Sequence, residues 1–144
     1  MEVDMALLAG VKDFFGFDAV RASRNDLNLL GAAEAHILWK ARLGHHIEGN
    51  IREPLEHVLV GQSGFCQLGC WITGPELEAF RDMPEFEQLK EAHRQFHQFG
   101  GLIVEKLKVG ERSAAREIFR NEYNQALRAI IQALTGINRH LHGG

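Results

Sequence analysis

The sequence predicts an all-α fold: an antiparallel helical bundle with a short extra helix carrying a cysteine motif. Three observations predict it. Apolar residues recur at steps of three, four and seven along most of the chain, the period of a helix with one buried face. No segment alternates apolar and polar residues as a half-buried strand does. Prolines occur only at Pro54, Pro75 and Pro84, so long segments are free of helix breakers.

Taken in order, residues 1–25 form an arm or a short helix, with Leu7, Leu8, Val11, Phe14 and Phe15 at helical spacing. Asp26 is a suitable N-cap for a helix over about 26–48. Leu27, Leu30, Ala33, Ile37, Leu38 and Leu43 supply its apolar stripe. Gly49-Asn50 breaks the pattern, and Arg52-Glu53-Pro54 opens another helical piece. Ser63 then caps a two-turn helix over about Gly64–Ile72, stopped by Gly74-Pro75. A short piece around Glu76–Phe80 follows.

Pro84, Glu85 and Glu87 begin a long helix with acids at the positive end of its dipole. Phe86, Leu89, Ala92, His93, Phe96, His97 and Ile103 share one face, and Lys106, Lys108 and Gly110 mark its end. The last helix runs from about 112 to 135 or beyond. Its stripe is Ala115, Ile118, Phe119, Ala126, Leu127, Ile130, Ile131 and Leu134. Residues 26–142 read as one domain, with no internal repeat and no linker.

Composition sets bounds on function. The chain has 144 residues, 45% of them apolar and 24% charged, with a net charge of −3. That is ample for one core. It lacks the basic excess a nucleic-acid surface needs, and no run reaches the length of a membrane span. Met1-Glu2-Val3-Asp4 is acidic where a secretory signal is basic. Two cysteines are too few for a disulfide scaffold. The expected compartment is the cytoplasm, where thiols stay reduced and can hold metal.

The chemistry gathers around Phe65-Cys66-Gln67-Leu68-Gly69-Cys70-Trp71-Ile72, which holds both cysteines. His93 and His97 lie one helical turn apart, the spacing that lets two imidazoles share an ion. Phe96 and Phe99 flank them, so the pair faces the interior. Buried ring nitrogens without partners cost about 1–3 kcal/mol each, and a zinc ion would satisfy both. His36 lies within the apolar stripe of its own helix. A core histidine bonded to a nearby carbonyl, and a cysteine that merely packs, fit the same positions. Together, however, His36, Cys66, His93 and His97 supply three nitrogens and one sulfur from three segments. That completes a tetrahedral shell, which marks a structural or sensory site; a catalytic zinc keeps a position for water.

Three motifs carry a family resemblance. His36-Ile37-Leu38-Trp39, Cys66-Gln67-Leu68-Gly69-Cys70-Trp71 and His93-Arg94-Gln95-Phe96-His97 resemble the chemoreceptor zinc-binding domain, whose pattern is His-x-x-Trp, Cys-x-x-Gly-x-Trp and His-x-x-x-His. The resemblance implies a four-helix bundle, usually a homodimer, binding one zinc per subunit through His36, Cys66, His93 and His97. It implies a cytoplasmic sensory or regulatory module. Such a module signals zinc level, or oxidation of the zinc-bound cysteine by hypochlorous acid, to an output domain or a partner in trans of the chemotaxis or cyclic-di-GMP type. The family pattern ranks Cys66 as the ligand and leaves Cys70 as an alternative ligand or a resolving thiol. A packed spare cysteine fits Cys70 equally well. No output segment is evident in the remaining sequence.

Other chemistries fit less well. A di-iron bundle needs Glu-x-x-His, and no histidine here has a glutamate three residues before it. His-Glu-x-x-His, Cys-x-x-Cys-His and Cys-x-x-Cys are absent. The chain is expected not to be an enzyme. The second reading is a structural zinc site in a homodimeric interaction module. Trp39 and Trp71 are expected to pack near the site, and Lys40 and Arg42 to face solvent or hold an acid. His45, His46, His57, His140 and His142 stand outside the motifs.

Overall fold

The computed structural model of the protein describes residues 28–49 and 66–143. The expected N-terminal arm, the cap at Asp26, the helical piece after Arg52 and the cap at Ser63 lie outside the described residues. Those residues form five α-helices with one 3-10 turn and one π segment, and no strand occurs among them. The helices are α1 (Leu29–Ile47), α2 (Gln67–Thr73), α3 (Pro84–Lys108), α4 (Arg112–Ile118) and α5 (Asn124–Gly143). The 3-10 turn Pro75–Phe80 follows α2, and the π segment Phe119–Tyr123 joins α4 to α5. The all-α reading therefore holds.

Each helix end has a local cause. Asn28 caps α1, its Oδ1 accepting from the Gly31 N–H at 2.9 Å, so the cap stands two residues after the expected one. α3 ends at Gly110, whose φ of 82° is left-handed. The Glu111 N–H donates to the Lys106 carbonyl at 2.8 Å and the Gly110 N–H to Leu107 at 3.1 Å. These two bonds are the paired contacts of a Schellman stop. Gly100 and Gly101 leave α3 unbroken, as both stay helical and buried. Packing on α5 and α4 outweighs their low propensity.

α3 packs along α5, and α1 also packs against α5. The expected face of α3 is buried in full: Phe86, Leu89, Ala92, His93, Phe96, His97 and Ile103. The expected face of α1 is not. Leu30, Ile37 and Leu38 are 55%, 45% and 37% exposed, while Leu29, Ala32, Ala33, His36, Leu43 and Ile47 are buried. Ala33, His36 and Leu43 of the expected stripe are thus buried as read, while Leu29, Ala32 and Ile47 take the inward places expected of Leu30, Ile37 and Leu38. The helix instead turns its small residues inward around His36, because Ala32 and Ala33 let its backbone approach its neighbours closely.

The last helix also departs from a uniform α pattern. The π segment takes in an extra residue per turn, which re-aims the buried stripe. Ala115 precedes it; Tyr123, Ala126, Leu127, Ile130, Ala133, Leu134 and Ile137 form the buried row at and after it. Tyr123 is thereby fully buried and stacks on Phe96 with centroids 4.5 Å apart. Among the described residues Lys40 meets an amide and a ring rather than an acid: its Nζ donates to Asn124 Oδ1 at 2.7 Å and lies 5.3 Å over the Phe119 ring.

Candidate metal centre

Three elements deliver the four side chains. α1 carries His36 two turns inside its capped start, 5% exposed. α3 carries His93 and His97, each 2% exposed, on successive turns of its buried face. Cys66 is half-buried at the N-cap of α2. One ligand atom from each of these four residues lies within 4.8 Å of the other three. Cys66 Sγ stands 3.0 Å from His93 Nε2 and 3.8 Å from His36 Nε2. At ordinary zinc bond lengths, adjacent donors of a tetrahedron stand about 3.3–3.6 Å apart, and the two observed separations straddle that value.

The surrounding bonds orient the donors. His36 Nδ1–H donates to the Ala32 carbonyl at 2.8 Å. That bond sets the tautomer and turns the Nε2 lone pair toward Cys66. The Gly69 N–H donates to Cys66 Sγ at 3.4 Å, so the sulfur also caps the first turn of α2. Gly69 is buried at this place, and the Cys-x-x-Gly spacing puts its amide within reach of the sulfur. Phe96 walls the site, its ring 5.1 Å from His36 and 5.5 Å from His97. Trp39 stands 6.2 Å from His97, and Trp71 is buried in the core.

Electrostatics favour an uncharged donor set. Burial lowers the His36 pKa to about 4, against the opposing bond to Ala32. Burial, reinforced by the neighbouring His36 and His97 rings, lowers that of His93 to about 2. Both imidazoles are therefore neutral near pH 7. Burial also pushes the Cys66 thiol up to about 11, despite the bond from Gly69. Two imidazole nitrogens face one sulfur, and one thiol proton can satisfy only one of them. A divalent cation satisfies all of these donors at once and reverses the cost of a buried thiolate. Three imidazoles and a thiol are a zinc-type donor set, and the residues fit that ion.

Cys70 stands one turn beyond Cys66 and is exposed; the four-residue cluster does not include it. Arg94, between the two α3 histidines, faces solvent and forks onto Glu91 at 2.6 and 3.1 Å. His45 and His46 end α1, His140 is exposed on α5, and His57 and the His142 side chain lie outside the description. The sequence reading did not single out Tyr123, which supports Phe96 from behind. Its spacing of four from Phe119 was the available signal.

An all-helical domain with a buried His3Cys cluster defines a class, that of helical metal-binding domains. Residues 36–104 match the family model of the chemoreceptor zinc-binding domain. No curated protein and no solved structure matches the chain.

Proposed function

We propose that His36, Cys66, His93 and His97 bind one Zn2+ and that the chain is a zinc-binding sensory or regulatory domain. The observation that carries this is the convergence of three buried imidazoles and one thiol, from three separate elements, within 4.8 Å. When bound, the ion supplies a positive charge that stabilises the Cys66 thiolate. The chain's own residues do the rest. Ala32 and Gly69 orient two donors, Phe96 and Trp39 exclude water, and α3 presents two histidines as one unit. Four protein donors leave no open position for substrate, which favours a sensor over an enzyme. Zinc level or oxidation of Cys66 is the signal, read by an output domain or a partner in trans of the chemotaxis or cyclic-di-GMP type. The proposed assembly is an antiparallel four-helix bundle acting as a cytoplasmic homodimer.

A second reading, a structural zinc site in a homodimeric interaction module, draws support from the exposed Leu30, Ile37 and Leu38 on α1. Metal content of the purified protein tests the first step: about one zinc per chain is expected. Cys66→Ala binding zinc as tightly as the parent would rule out this shell. Chelation then separates the readings. A sensor releases zinc and stays helical or changes its oligomeric state, whereas a structural site loses its fold with its metal.

A further inference from the structure

We propose that Cys66 and Cys70 form a redox-modification site: a two-electron oxidant such as hydrogen peroxide joins them in a disulfide that withdraws the Cys66 sulfur from the histidine cluster. The two residues are stacked across the first turn of α2, where the Cys70 N–H donates to the Cys66 carbonyl at 3.1 Å. Side chains one turn apart stand about 5–6 Å from each other at Cβ, whereas a disulfide needs about 3.5–4.5 Å. Closing the bond therefore requires this turn to deform by about 1–2 Å.

The local structure permits that deformation. Cys66 already has extended backbone angles, φ −104° and ψ 159°, and so stands outside the helix proper. Its side chain gives the turn a single cap, the N–H···S bond from Gly69 at 3.4 Å, and sulfur is a weak acceptor. Leu68, Trp71 and Ile72 are all buried, so the body of α2 stays seated while its first turn opens. The pair is also intramolecular, with an effective concentration far above that of a second chain.

Exposure assigns the order of events. Cys70 is exposed and Cys66 half-buried, so the oxidant meets Cys70 first. The Cys70 thiol attacks one peroxide oxygen, the O–O bond breaks, and sulfenic acid and one water result. The Cys66 thiol then attacks the Cys70 sulfur. The S–O bond breaks, and hydroxide leaves with the Cys66 proton as a second water. Two thiols are oxidised by two electrons, and one peroxide is reduced to two waters. The disulfide holds the Cys66 sulfur away from His36 and His93. A thiol reductant restores the cluster.

The test is mass spectrometry of the full chain treated with hydrogen peroxide, with and without added chelator, while circular dichroism follows helix content. The expected product is a single chain lighter by two hydrogens, still helical, with no alkylatable thiol, and reverted by dithiothreitol. Cys70→Ser should abolish that product, and Cys66→Ser should instead gain oxygen at Cys70. Oxygen gained at Cys70 of the parent with Cys66 still alkylatable, a cross-link between chains, or a disulfide seen only after helix loss would each overturn the proposal. A second arm rests on the zinc reading: zinc loading should slow disulfide formation at least about tenfold, since the bound state pins Cys66. An unchanged rate in protein that retains zinc overturns that link alone. Zinc retention is measured in the same samples, so failure to bind metal is seen separately from failure of the pair.

Discussion

The two sides of the metal centre are built very differently. His93 and His97 stand on α3, a helix of 25 residues with acids at its start and a Schellman stop at its end. Cys66 stands at the tip of α2, a helix of seven residues capped by the cysteine's own sulfur. On the α3 side, the donors are held by a core that exists for other reasons. On the α2 side, the donor and the cap are the same atom, so whatever moves the sulfur also loosens the turn. A site with one rigid side and one yielding corner can change state without unfolding the domain, because the disturbance stays where fewest contacts are lost.

The largest expected effect comes from breaking the rigid side. Phe96→Ala removes a fully buried ring that separates His36 and His97 from Tyr123, and should cost about 3–5 kcal/mol of stability in chemical denaturation. Loss of a donor comes next. Four-ligand zinc sites supply about 10–16 kcal/mol, so His97→Ala should cost roughly a quarter of that, a factor of about 10²–10³ in affinity, read by competition with a chromophoric chelator. Equal stability losses on chelation in α2 and α3 would remove the contrast itself. Hydrogen exchange should instead quicken at the Gly69 and Cys70 amides about tenfold or more while Gln95–Phe99 stay protected.

Smaller effects sharpen the electrostatic side. With His36 near 4, His93 near 2 and Cys66 near 11, the two imidazoles bind metal without losing a proton at pH 7, and the thiol loses one. Calorimetry in buffers of different ionisation enthalpy should therefore show about one proton released from Cys66 per ion, and Cys66→Ser should lack it. Metal affinity accordingly falls as pH falls. The smallest effect has the opposite sign. Among the described residues the buried Tyr123 hydroxyl has no hydrogen-bond partner, so Tyr123→Phe should raise stability by about 1 kcal/mol, again by denaturation.

Much of this architecture was legible in the residue order. The turn spacing of His93 and His97, the acids after Pro84 and the Lys106–Gly110 stop are local signals, and local signals act through short-range sterics and dipoles that the chain carries with it. Their outcome in α3 matches the expectation nearly residue for residue. The three motifs also pointed to the family whose model residues 36–104 match.

Other features depended on what each helix packs against. On α1 the stripe was legible at Ala33, His36 and Leu43, and only docking against the remaining helices placed Leu29, Ala32 and Ile47 inside and Leu30, Ile37 and Leu38 outside. The π segment ends at Tyr123, which stacks on Phe96 of another helix, a tertiary contact that no local window contains. Cys66 and Cys70 have the same residue type and nearly the same neighbours in sequence. Their different surroundings, one sulfur among histidines and the other exposed, come from how α2 is set down on the bundle. Sequence by itself determined which donors this protein owns; tertiary packing decided which atoms meet, because meeting requires surfaces from helices far apart in the chain to be buried together.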